Sequence, residues 1–348
     1  MNSLVIITGA GASHDCVQSS RANINSEFTP PLTKNLFNTA LQEDNPTNKV
    51  IALHLSNNHL AYQVGYKFHS SFSGHKLEQN LVKHLLEYKN RKKYIIKNQY
   101  WSVPIYLYEL FWDISRKYLP TPYGLPSNYK ILIDEISKSK YNQIIWLNLN
   151  YDLLADYAIK ISVISQFSSL DDYMQLETKD GLRIKYTKPH GSVNWWRKIL
   201  IPGGLRFDQI KDGLVPEDFE EQLTPGIYTQ LISGDDNKRY PAISAPIGKY
   251  DFVYPKHIEA IVPDLKSTTD ILCIGFSALD NDILNLIKEH VPQIIKLKII
   301  NGSHMAGKEA YEQIVKFCME PETTVDHAAY EGGFSRFIEG ELHRWLSL

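Results

Sequence analysis

Leu4-Val5-Ile6-Ile7 runs directly into Thr8-Gly9-Ala10-Gly11-Ala12-Ser13. A short run rich in β-branched residues, with no polar alternation, is the pattern of a strand buried on both faces. Such strands lie inside parallel sheets that are covered by helices on either side. Glycines at the strand exit let the backbone turn tightly, and the next helix presents its N-terminal amides at the same point. Gly9-x-Gly11 is thus half of a dinucleotide-binding fingerprint, with His14 where the third glycine would stand. The same residues also fit a plain strand-to-helix turn that holds nothing.

The alternation continues down the chain. Strands are predicted at Ile144 to Leu149, Leu182 to Tyr186, Pro241 to Ser244, Ile271 to Gly275 and Ile295 to Ile300. Helices are predicted from Leu153, from Asp280, and at 307–318 and 333–346. A helix opening at Pro30-Pro31 would bury Leu32, Leu36, Phe37, Ala40 and Leu41. Residues 197–240 read as long loops with one short helix. Between residues 45 and 140 only helical spacing is visible. It runs through Leu77, Leu81, Val82, Leu85 and Leu86, then Ile105, Tyr108, Phe111 and Trp112, then Tyr129, Leu132, Ile133 and Ile136. The expected architecture is an α/β fold with a mostly parallel sheet, helices on both faces and a helical insert. Residues 1–44 and 141–348 would form the core, and 45–140 the insert.

Charge and cysteine usage narrow the function. Lys and Arg number 37 against 39 Asp and Glu, a net charge of −2, so no basic field recommends nucleic acid or an anionic membrane as partner. Cys16, Cys273 and Cys318 are far apart in sequence, which excludes an intrachain four-cysteine zinc site or a disulfide framework. No run approaches the ~18 apolar residues of a membrane span. Met1 to Ser3 carry no basic region, and Leu4 to Ile7 is too short for a signal peptide, so a cytoplasmic location is expected.

Ligands of parallel sheets bind beyond the carboxyl ends of the strands. Five polar segments fall there: Gly9 to Ser13, Asn148-Leu149-Asn150-Tyr151-Asp152, His190-Gly191-Ser192, Gly275-Phe276-Ser277 and Asn301-Gly302-Ser303. Asn150 and Asp152, two apart, share a side if the backbone is extended. The plain alternative for Asp152 is a helix N-cap. A histidine at such a position suits general-base work, because histidines titrate near neutrality.

Taken in order, the five segments resemble the sirtuin family. Gly9-Ala10-Gly11-Ala12-Ser13 is similar to its GAG-[IA]-S motif and Asn148 to Asp152 to its TQNID motif. His190-Gly191 resembles its catalytic His-Gly pair, Gly275-Phe276-Ser277 its G-T-S motif, and Ile300-Asn301 its I-N pair. Sirtuin deacylases carry a zinc module with two Cys-x-x-Cys pairs after His-Gly, and this chain has no cysteine between His190 and Cys273. Asn-Tyr-Asp, Lys-Pro-His-Gly-Ser-Val-Asn-Trp and Pro-Pro-Leu-Thr-x-x-Leu-Phe resemble instead the zinc-free sirtuin-like domains of prokaryotic antiviral defence systems, which hydrolyse NAD.

The resemblance implies a Rossmann-like core, NAD as substrate and no metal. It gives Asn150, Asp152 and His190 catalytic roles: Asn150 at the ribose hydroxyl or a water, Asp152 at the nicotinamide carboxamide, His190 as base. It gives Gly9, Ala10, Gly11, Ala12 and Ser13, with Gly275, Phe276 and Ser277, to the diphosphate, and Asn301 to the adenosine ribose. A hydrolase that depletes NAD must be kept silent, so a homo-oligomer and a separately encoded regulatory partner are expected. Phe111, Trp112 and Tyr118 are candidate anchors for such contacts; packing within the insert is their plain alternative. Two other functions stay open: an NAD or ADP-ribose-binding subunit without turnover, and a zinc-free NAD-dependent protein deacylase.

Overall fold

The computed structural model describes residues 2–16, 29–37, 46–68, 94–118, 127–200, 206–229, 239–244, 252–318 and 326–347. The first strand, β1 (Ser3–Thr8), is buried along its whole length, and its side chains divide by parity. Leu4 and Ile6 join one hydrophobic cluster, and Val5 and Ile7 join another. That is the two-sided burial expected of a central strand.

Strands β2 (Gln143–Asn148), β4 (Arg183–Thr187), β8 (Asp270–Ile274), β9 (Lys296–Asn301) and β10 (Asp326–Glu331) run parallel to β1 in one sheet, and β3 (Leu176–Glu177) closes an edge antiparallel. The order is β10-β9-β8-β1-β2-β4-β3. From β1 the chain moves outward through β2 and β4, then returns to the other side of β1 and moves outward through β8, β9 and β10. For the six parallel strands this is the doubly wound order 3-2-1-4-5-6, whose reversal point lies between β1 and β8. The fold is Rossmann-like.

Helices cover both faces. On the Leu4 face lie α5 (Asn128–Ser137), α6 (Leu154–Ser162), α12 (Gly333–Gly340) and α13 (Leu342–Ser347), which bring Tyr129, Ile133, Ala158, Phe334 and Trp345 into one cluster with Trp146. On the Val5 face lie α9 (Pro255–Leu265), α10 (Asn281–His290) and α11 (His304–Cys318), with Ile261, Ile287 and Ile314. Helix α5, read from sequence within segment 45–140, therefore packs on the sheet. Helices α2 (Pro46–Ser56), α3 (His59–Phe68) and α4 (Tyr94–Tyr118) share a separate cluster around Leu107 and Leu110. The helix expected across Leu77 to Leu86 lies outside the described residues. So does the continuation of the Pro30-Pro31 helix to Ala40 and Leu41; Thr33–Asn35 forms a single 3-10 turn.

Two differences from the sequence reading stand out. The strand expected at Pro241 to Ser244 is present as β7 (Arg239–Ile243), but it pairs with two unexpected strands, β5 (Gly191–Lys198) and β6 (Tyr228–Thr229), in a separate three-stranded antiparallel sheet of order β6-β5-β7. Short helices α7 (Phe207–Lys211) and α8 (Phe219–Gln222) lie beside it. This sheet packs on α4 through Ile199, Tyr240, Trp101 and Ile105. Strand β10 was not expected at all. Among the described residues no helix is long and apolar enough to cross a membrane.

Candidate functional site

The exits of β1, β8 and β9 are stitched together by backbone. Gly9 N–H donates to the Ile274 carbonyl at 3.0 Å, Gly11 N–H to the Gly275 carbonyl at 3.2 Å, and Gly275 N–H to the Ile300 carbonyl at 2.8 Å. Gly275 has φ +59°, and a Cβ there would stand 2.1 Å from the Ala12 nitrogen. A Cβ on Gly9 would stand 2.5 Å from the Gly275 carbonyl oxygen. The glycines thus serve the contact of two strand-end loops. The amides of Gly9, Gly11 and Ala12 are spent inside that contact, the last on the Gly9 carbonyl at 2.9 Å. A diphosphate at this end would be held by other groups.

The exit of β2 is fixed by its own side chains. Asn148 Oδ1 accepts from the Thr8 hydroxyl at 3.0 Å and from Asn150 N–H at 3.2 Å, and its Nδ2 donates to the Tyr186 hydroxyl at 2.6 Å. Asn150 then turns toward β1. Its Nδ2 donates to the Gly9 carbonyl and to Ser13 Oγ, both at 3.0 Å. The amide's nitrogen is engaged, and Oδ1 is the end available to a ligand.

Asp152 is 1% exposed. One carboxylate oxygen accepts from Leu154 N–H at 3.1 Å; the other, Oδ2, is buried and has no hydrogen-bond partner among the described residues. Burial pushes the carboxyl above its usual range, while the charge of Lys188 pulls the other way. Lys188 is fully buried beneath this loop. Its ammonium donates to the Asp152 carbonyl at 2.6 Å, Ser192 Oγ at 2.7 Å and the Asp156 carboxylate at 2.9 Å. Asp156 also accepts from the Tyr186 hydroxyl at 2.8 Å.

His190 is 8% exposed. Gly191 has φ +83°, and a Cβ there would stand 1.9 Å from the Ala242 carbonyl oxygen, so this glycine is dictated by the close approach of β7. His190 Nε2 lies 2.5 Å from Oδ2 of Asp280. Asn301 Nδ2 donates to the carbonyls of Ala306 at 3.2 Å and Phe276 at 3.4 Å, and so braces the loops after β8 and β9.

One cleft of about 1240 Å³ opens over these strand ends. Its walls include Gly9, Ala10, Gly11, Ser13, Asn150, Asp152, His190, Gly275, Phe276, Ser277 and Asn301. Of the sequence-predicted site residues, Ala12 alone is not on the wall; it is fully buried. Sequence reading missed Asp280, Arg336 and Phe111, which share the wall, and gave Lys188 no role. A lysine beside the His-Gly pair at a strand end was the one available signal. Nothing in sequence ties Asp280 to a histidine 90 positions away. Phe111 packs edge-on against Tyr151 at 5.5 Å and Trp112 stacks on Tyr108 at 6.2 Å, so both rings have partners within the chain.

The chain is similar to the crystal structure of a Sir2 homolog in complex with NAD, at 12% identity over 99% of this chain and 91% of that one, with a TM-score of 0.36. No protein-family model matches the chain, and no curated protein matches it.

Proposed function

We propose that the cleft binds NAD and hydrolyses its glycosidic bond, releasing nicotinamide and ADP-ribose. The observation that carries this reading is Asp152 on the wall of a cleft of about 1240 Å³ at the sheet's reversal point, with its buried Oδ2 close to Ser13 but without a geometric hydrogen bond among the described residues. A buried acceptor without a partner costs free energy, about 1–3 kcal/mol or more for a charged group, unless a ligand's donor completes it. A primary carboxamide supplies such a donor, and that is the recognition handle of nicotinamide.

The remaining residues fit the same substrate. Asn150 Oδ1 is assigned to the positive charge that develops on the ribose as the bond lengthens, and stabilises that state more than the ground state. His190 takes a proton from the attacking water. Nicotinamide leaves as a neutral molecule from a cationic ring, so no general acid is required. With the amides of Gly9, Gly11 and Ala12 engaged, Ser277 and Arg336 are the wall residues assigned to the diphosphate, and Asn301 marks the adenosine end. The reading includes the defence role that the motifs suggest, and with it an assembly or a separately encoded partner that gates turnover.

The test is NAD turnover and NAD affinity measured side by side. Wild type is expected to release nicotinamide and ADP-ribose in equal amounts, alone or with its regulatory partner. Asn150→Ala is expected to turn over at least ~100-fold more slowly, with Kd within about threefold. Joint loss of affinity and turnover would make Asn150 a binding residue. A wild type that does not bind NAD would overturn the reading, and binding without any turnover would favour the regulatory subunit.

A further inference from the structure

Resting on that reading, we propose that Asp280 is the positioning residue for His190: it holds the imidazole in the Nε2–H tautomer and thereby makes Nδ1 the nitrogen that accepts the proton. Oδ2 of Asp280 lies 2.5 Å from His190 Nε2, and the two residues are 2% and 8% exposed. A carboxylate offers only acceptors, so a short contact to it puts the proton on Nε2. In the neutral ring the lone pair then resides on Nδ1. Nε2 to Asp280 is the hydrogen bond that the imidazole makes among the described residues, and His190 lines the cleft.

Asp280 is itself held in place. Its Oδ1 caps α10, accepting from Asp282 N–H at 3.2 Å and Ile283 N–H at 3.4 Å. The two oxygens are divided, one to the helix and one to the histidine. The chain reaches Asp280 through Ala278, a buried non-glycine residue at φ 55°. A residue with a Cβ stays in that region only where its surroundings fix it.

In the reaction, a bond forms between the water oxygen and ribose C1′. The bond from C1′ to the nicotinamide nitrogen breaks, and its electron pair stays on that nitrogen. The water's proton passes to His190 Nδ1. The resulting imidazolium keeps its Nε2–H on Asp280 and later returns the Nδ1 proton to solvent. Asp280 stabilises the imidazolium without taking the proton, the division of labour familiar from Ser-His-Asp enzymes with the two ring nitrogens exchanged.

Asp280→Asn separates the two duties of this side chain. Asparagine caps a helix about as well as aspartate, so α10 and the melting temperature should hold. Its amide can donate to Nε2 and move the ring proton to Nδ1. Two-bond nitrogen–proton NMR spectra of histidine-labelled protein report the tautomer, with the His190 signals identified by their loss in His190→Gln. Wild type is expected to show Nε2–H, and Asp280→Asn to lose it. With NAD, Asp280→Asn is expected to lower kcat ~10²–10⁴-fold with KM and Tm little changed. A wild-type His190 protonated on Nδ1, or an Asp280→Asn variant that cleaves NAD within threefold of wild type, would overturn the proposal. The spectra need no turnover. A wrong tautomer therefore sinks this inference alone, whereas a correct tautomer with no NAD binding sinks the reading beneath it.

Discussion

Asp152 is where stability and function pull apart. In the folded chain its carboxyl holds a proton more tightly than in the unfolded chain, because burial disfavours the charge. The associated stability is fully present below the unfolded carboxylate pKa and is lost as pH rises through the raised folded value. Above that range the buried carboxyl is a net cost. Asp152→Asn removes it and is expected to raise Tm by ~1–3 °C at pH 7 while abolishing NAD cleavage. The gap should shrink as pH is lowered through the carboxylate range; an unchanged or lower Tm at pH 7 would contradict this. Lys188 is the opposite case. It pairs with buried Asp156, so Lys188→Met leaves that carboxylate uncompensated and should cost ~3–5 kcal/mol in urea unfolding. Adding Asp156→Asn neutralises the orphan and should restore part of the loss. Equal stability of the single and double variants would show that the pair is not the reason.

Between elements, the decisive contact is that of the β1 and β8 exit loops, where three glycines meet backbone to backbone. Gly275→Ala forces a Cβ to 2.1 Å from the Ala12 nitrogen at φ +59°, and is expected to cost ~3 kcal/mol or more. Gly302→Ala, with nothing within 4 Å of its added Cβ, should stay within ~0.5 kcal/mol. Denaturant midpoints of the two variants decide it, and similar losses would refute the loop-contact explanation. At this scale much was legible. Strands β1, β2, β8 and β9 announce themselves as apolar runs that end at polar or glycine residues, and β4 by its alternation. Strand β10 reads Asp-His-Ala-Ala-Tyr-Glu, with no β-branched residue, and takes its place in the sheet by pairing with β9. Strand β5 was hidden for another reason. Its pairing with β7 shifts register between Gly191 and Trp196, which breaks the period-two pattern that marks a strand.

For the molecule as a whole, the strand order does the assembling. Segments at residues 9–13, 148–152, 190, 275–280 and 301 share one cleft because their strands point the same way and cluster around the reversal between β1 and β8. That they would lie together was readable, since each follows a predicted strand. Which side chains would touch was not, because pairing depends on packing between distant segments. The tie between Asp15 and Ser335, 320 positions apart, is an example. Asp15 accepts from the Ser335 hydroxyl at 2.7 Å and from its N–H at 2.9 Å, completing the first turn of α12, and both residues line the cleft. Asp15→Ala should cost ~1–2 kcal/mol, and Asp15→Asn less, by thermal melting; a neutral Asp15→Ala would show the tie to be incidental. The claim that the cleft hydrolyses NAD is tested most directly by incubating the protein, with its regulatory partner where one is encoded, with NAD in oxygen-18 water. Mass spectrometry of the products should show one nicotinamide released for each ADP-ribose carrying one heavy oxygen. Intact NAD, or ADP-ribose transferred to another acceptor with no heavy oxygen, would contradict it.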